Sequence, residues 1–297
     1  MAGLYRSDER PSAPIDMVVA PSDDFGHQAE RNPGRWEVQG DNLWITAPAQ
    51  WGMALDPTIV RVLDELDRRS KSLPAEMEFR RIFIATYRRT TEAVGRSIED
   101  GGFEDPTWMT AWDAAFADLF FVAHDDDLAG EVPPRPWRLA FRPRNELNTL
   151  QHLLLGMNAH INFDLPQALL TVISDHDFAD PVLIDRRRRD HERIDRILAA
   201  RVAAEDDELG GPRKLRDRVL RPFNRASSKR FLREARQKVW WNTFELQQAR
   251  LAGPDAYCSR LSELELLSAA KIADLTTSGQ VLLRLAVAGF GVTLPPL

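Results

Sequence analysis

With 297 residues, 43% of them hydrophobic and 28% charged, the chain can form one large domain or two small ones with a sizeable core. No run of about 18 apolar residues occurs, so no transmembrane helix is expected. The acids and prolines of the opening MAGLYRSDERPSAPID argue against a secretory leader. A single cysteine, Cys258, leaves no internal disulfide, so a cytoplasmic location is the default, with the thiol buried and inert.

The net charge of −6 conceals an asymmetry, because Arg186 to Lys238 holds 18 basic and 9 acidic residues. Asp190, Glu192, Asp195 and Asp217 interleave with these arginines at helical spacing, as on a solvated, salt-bridged face. No nucleic-acid-binding motif accompanies them, so no nucleic-acid partner is expected. A homo-oligomer is compatible with everything read here.

Residues 1–54 read as an irregular N-terminal arm, with a small hairpin around Gly40-Asp41-Asn42. Residues 55–297 read as one all-α, helical-bundle-like domain. Asp56-Pro57 starts its first helix, aspartate as N-cap and proline at N1, with Ile59, Val62, Leu63 and Leu66 as the apolar stripe. A second helix over Ala75–Ile98 ends at Gly101-Gly102. Asp105-Pro106 then repeats the start signal before an aromatic helix with Trp108, Met109, Trp112, Phe116, Leu119 and Phe120 on its buried side. Further helices are predicted over Pro181–Ala204, Lys214–Leu220, Ser227–Leu251 and within Ala256–Ala288, and Trp240-Trp241 reads as core.

Asn145–Pro166, the most apolar helix, lies at the centre of this arrangement. Leu147, Leu150, Leu154, Met157 and Ile161 form its apolar stripe. At 100° per residue, Gln151, Asn158 and Asn162 fall on a second side and His152, Gly156, His160 and Asp164 on a third. Buried polar residues need partners, since each one left unpaired costs about 1–3 kcal/mol. Such a helix is therefore either a fold-specifying polar core or the wall of a site.

His160 and Asp164, four residues apart, can share a metal ion, or the carboxylate can orient the imidazole as a general base. Against this, Leu165-Pro166 disfavours continuing the helix. Asp164-x-x-Gln167 also reads as a capping box for the next one. The His124-Asp125-Asp126-Asp127 run superficially matches the Mg²⁺–diphosphate motif of class I terpene synthases. The second metal motif is missing around Asn242, and an acidic loop is the better reading. No GxGxxG, P-loop, GxSxG, HExxH or cysteine cluster occurs, so no cofactor or metal set is identified.

The LNTLQHLLLGMNAHINFDLPQAL segment, Gly102-Phe103-x-Asp105-Pro106 before an aromatic helix, the Pro136–Phe141 run, Asp190-His191-x-x-Ile194 and Ala235-Arg236-x-x-Val239-Trp240 resemble the bacterial DUF5995 family over roughly residues 55–270. The resemblance implies an all-helical fold, implies no established reaction, and marks Asn158, His160, Asn162, Asp164 and Asp190 as its polar signature. Asp195 stands where that signature would have asparagine.

The expectation is a small-molecule enzyme with a helical pocket: His160, Asp164 and Asp190 for acid–base or metal-assisted chemistry, and Asn158, Asn162 and His152 binding the ligand. Asp190 or His191 is expected to reach His160, because a buried imidazole needs a partner for each ring nitrogen. The alternative is a non-catalytic binding or scaffold protein whose polar cluster is a core network.

Overall fold

A computed structural model describes residues 54–142, 147, 149–208, 215–276 and 289–296. The arm and hairpin predicted for the N-terminus lie outside these residues. Among the described residues the fold is all-α, without a strand. No described helix is long and apolar enough to cross a membrane.

Helix α1 (Pro57–Ser72) begins as the sequence dictates, with the Asp56 side chain accepting from the Thr58 N–H at 2.7 Å. A 3₁₀ segment (Ala75–Arg80) leads into α2 (Arg81–Glu99). In α3 (Pro106–Ala129) the Asp105 carboxylate accepts from the Trp108 N–H, and left-handed Gly130 closes the C-terminus. The predicted acidic loop is thus the end of α3. The helix persists because two buried arginines hold it: Arg69 donates to Asp125, and Arg80 pairs with Asp127 at 2.6 Å.

A short helix α4 (Arg135–Ala140) precedes α5 (Thr149–Ala159), a π turn (His160–Asp164) and α6 (Leu165–Val172). The predicted break at Leu165-Pro166 does not occur, since Leu165 is in the right-handed helical region. Its N–H donates to the His160 carbonyl, five residues back. A proline cannot donate and crowds the carbonyl four residues before it, so one widened turn lets the chain pass without breaking.

Beyond α7 (Asp175–Ala179), the long α8 (Pro181–Glu208), α9 (Leu215–Ala252) and α10 (Pro254–Thr276) complete the domain. Helix α9 is continuous where two helices were predicted. Helix α3 packs on α6, α6 on α9, and α8 on α9 and α2, so the π turn sits deep among them. Gly156 permits the approach of α5 to α2, because a Cβ there would lie 2.7 Å from Phe83 Cδ2. Two surface predictions are corrected. Cys258 is exposed, and Trp241 is 45% exposed because its ring lies along the rim with its N–H on the Leu294 carbonyl.

The described tail, residues 289–296, is extended and buries Phe290, Val292 and Leu294 in alternation. Side-chain amides replace a neighbouring strand. Asn158 and Asn162 both donate to the Phe290 carbonyl, at 3.1 and 3.0 Å, and Asn162 Oδ1 accepts from the Val292 N–H. Asn242 donates to the Val292 carbonyl and accepts from the Leu294 N–H.

Candidate active site

The π turn brings together the two side chains that the sequence paired. His160 Nδ1 lies 2.8 Å from Asp164 Oδ2, and the Trp137 indole N–H donates to the same oxygen at 2.8 Å. Asp164 makes no capping bond, and Gln167 instead donates to the Phe163 carbonyl, so the predicted capping box does not form. Because Asp164 Oδ2 accepts the indole N–H, we assign the imidazole proton to Nδ1, where it can donate to the same oxygen, leaving Nε2 as an acceptor. Burial pushes the His160 imidazole well below its usual value and the Asp164 carboxyl well above its own, the latter opposed by the Trp137 N–H.

Aromatic rings fix the imidazole from several sides. Phe116 stacks on it at 3.6 Å between centroids and 6° between planes, and Tyr87 meets it edge-on at 4.6 Å. Removing the indole N–H while keeping the ring's bulk isolates the contribution of Trp137. Trp137→Phe is expected to destabilise the fold by about 1–3 kcal/mol, because Asp164 Oδ2 loses a donor in the dry interior. Chemical denaturation of both proteins measures this.

His160 Nε2 is buried without a protein partner. The ring lines a cavity of about 100 Å³ between α2, α3, the π turn, α8 and α9, walled mainly by apolar side chains such as Phe83, Trp112, Phe116, Met157 and Ile194. Four more buried polar atoms on residues of the same cavity lack a hydrogen-bond or ion-pair partner among the described residues: Tyr87 Oη, Thr91 Oγ1, Trp112 Nε1 and Asp113 Oδ2. Burial raises Asp113 to about 7, and burial also raises the Tyr87 phenol, helped by the nearby Asp113, Asp164 and Asp118 carboxylates. Arg236 reaches the wall from α9. Its guanidinium is tied to Asp195 at 2.7 Å and donates to the His191 carbonyl, and burial lowers it to about 10.

The other residues singled out from sequence go elsewhere. Asn158 and Asn162 face the tail, and neither lines this cavity. His152 lies 4.7 Å from the Phe79 ring and lines a separate cavity of about 20 Å³ with Arg80 and His124. Asp190 is not brought to His160. Its two oxygens accept from the Glu104 and Asp105 N–H groups at 2.8 Å each, and Arg193 donates to it. That role anchors α8 to the turn before α3. His191 packs between Trp112 and Trp240, and burial, with Arg236 adding to it, holds its imidazole well below the usual value. Arg186, Arg187, Arg189 and Arg193 pair with Glu104, Asp105, Asp177 and Asp185. Among the described residues, no three His, Cys, Asp or Glu side chains converge as a metal site.

The model of a family described as one of unknown function, DUF5995, matches residues 59–278. The chain belongs to the DUF5995 family. No curated protein and no solved structure matches it. The match spans every described helix from α2 to α10 and all but the first two residues of α1, so the His160–Asp164 pair and the cavity of this DUF5995 protein lie inside the family region.

Sequence reasoning missed Tyr87, Thr91, Asp113 and the Trp137 contact. A signal for Asp113 was present. It stands four residues after Met109 and three before Phe116, on the apolar face of an aromatic helix, where an acid has no structural reason to be.

Proposed function

We propose that this protein is a small-molecule enzyme in which His160 Nε2 acts as general base inside the α2–α3–α8–α9 cavity. One observation carries the reading: Tyr87 Oη, Thr91 Oγ1, Trp112 Nε1, Asp113 Oδ2 and His160 Nε2 all belong to residues of one cavity, and none has a partner among the described residues. Buried polar atoms are nearly always satisfied, so five in one apolar chamber point to a bound molecule.

The chemistry follows from the pair. With the proton on Nδ1, Nε2 can take one from a bound molecule. The imidazolium so formed keeps its Nδ1–H on Asp164, whose orientation Trp137 holds. Asp113, titrating near 7, can return a proton to the product. Acid–base assistance of this kind contributes roughly 10²–10⁴ in rate. With a single cysteine, such an enzyme would work in the cytoplasm.

The alternative, a binding or scaffold protein without turnover, draws support from Asn158 and Asn162, whose amides hold the tail. Comparing small-molecule extracts incubated with the wild type and with His160→Gln separates the two. The enzyme reading expects at least one compound consumed or formed only by the wild type, measured by mass spectrometry. Identical profiles would leave the binding reading standing.

A further inference from the structure

We infer that the cavity receives a small primary ammonium with a branched or cyclic hydrocarbon body, its N–H groups shared among Asp113 Oδ2, His160 Nε2 and the hydroxyl oxygens of Tyr87 and Thr91. The inference rests on reading the His160 cavity as a ligand site and adds the chemical class of the ligand.

Hydrogen-bond supply and demand select that class. Asp113 Oδ2 and His160 Nε2 accept and the two hydroxyl oxygens can accept as well, against a single fixed donor, Trp112 Nε1, among these partnerless atoms. A primary ammonium offers three donors and no acceptor. An alcohol offers one donor, and a carboxylate offers none and meets Asp113 with like charge.

Charge points the same way. The titratable groups facing Asp113 are Tyr87 from α2, His160 backed by Asp164 from the π turn, and Arg236 from α9. Tyr87 and His160 are neutral, and Arg236 is already paired with Asp195 of α8. Asp113 therefore has no cationic partner of its own among the described residues. The walls complete the match, because Phe83, Tyr87, Trp112 and Phe116 present aromatic surface on which a cation is stabilised. A cavity of about 100 Å³ limits the ligand to about four or five heavy atoms, given that a dry cavity of roughly 150 Å³ accepts the six of benzene.

Titrating the protein at pH 8 with isobutylammonium, isobutanol and isobutyrate into the millimolar range, while following tryptophan emission and heat, tests this. Trp112 in the wall should report entry. The ammonium is expected to bind at least about tenfold more tightly than the alcohol, with isobutyrate weakest. Asp113→Asn should bring the two cation and alcohol affinities within about threefold of each other. The wild type supplies a check that needs no variant. Affinity for the cation should rise about tenfold from pH 6 to pH 8 as Asp113 ionises, the amine staying protonated throughout. Equal or better binding of isobutanol or isobutyrate, or a flat pH profile, would overturn the ammonium assignment and keep the cavity as a site. No binding of any of the three would overturn both the assignment and the ligand-site reading beneath it.

Discussion

Asp113→Asn is expected to stabilise the protein by up to about 4 kcal/mol at pH 8 and to leave it nearly unchanged near pH 4. The cause is burial of a carboxylate that has no cationic partner of its own among the described residues. The native carboxyl holds its proton up to about pH 7, whereas the unfolded one loses it near 3.8. Across that window the folded state binds a proton that the unfolded state has released, so wild-type stability falls as pH rises. An amide cannot ionise, and the variant escapes the loss. Urea denaturation at pH 4, 6 and 8 should show the two proteins diverging steadily. Parallel curves would mean that Asp113 is already compensated in the native state. A residue retained at such cost to stability is the behaviour expected of a group kept for function.

The second large effect concerns the tail. Asn242→Ala is expected to cost about 2–5 kcal/mol, because it strands the Val292 carbonyl and the Leu294 N–H in a buried groove, each worth about 1–3 kcal/mol. Amide exchange in residues 289–296 should accelerate first. Asn158→Ala should cost less, since Asn162 donates to the same Phe290 carbonyl and can hold it alone. If Asn158→Ala instead proved as damaging as Asn242→Ala, the two donors would not be redundant and the tail would be held differently.

How much of this was readable beforehand depended on the range of the interaction. Asp56-Pro57 and Asp105-Pro106 act within one turn, and both helix starts stand where the sequence puts them. The His160–Asp164 contact was readable for the same reason. The way the chain delivers it was not. A proline after Leu165 signals a break, and whether the helix stops or widens into a π turn depends on packing from α3 and α9 around it. The asparagines looked like a ligand-binding row because their partner is the tail, some 130 positions away, where only the alternation of Phe290, Val292 and Leu294 hinted at an extended segment. Asp190 was expected on a solvated face or beside His160, yet it is buried, and its partners are backbone N–H groups of Glu104 and Asp105, which carry no side-chain signature at all. The cavity is assembled from α2, α3, the π turn, α8 and α9 together, so no single stretch announces it.

The central claim is that His160 presents an unprotonated Nε2 to the cavity, backed by Asp164. Long-range ¹⁵N–¹H correlation spectra of the imidazole rings, with His160 assigned through His160→Gln, test this most directly. Near neutral pH the His160 ring should show a protonated Nδ1 and an unprotonated Nε2, since burial holds its imidazole well below the usual value. A His160 ring that carries its proton on Nε2, or that titrates near 6.5 like an exposed histidine, would contradict the account.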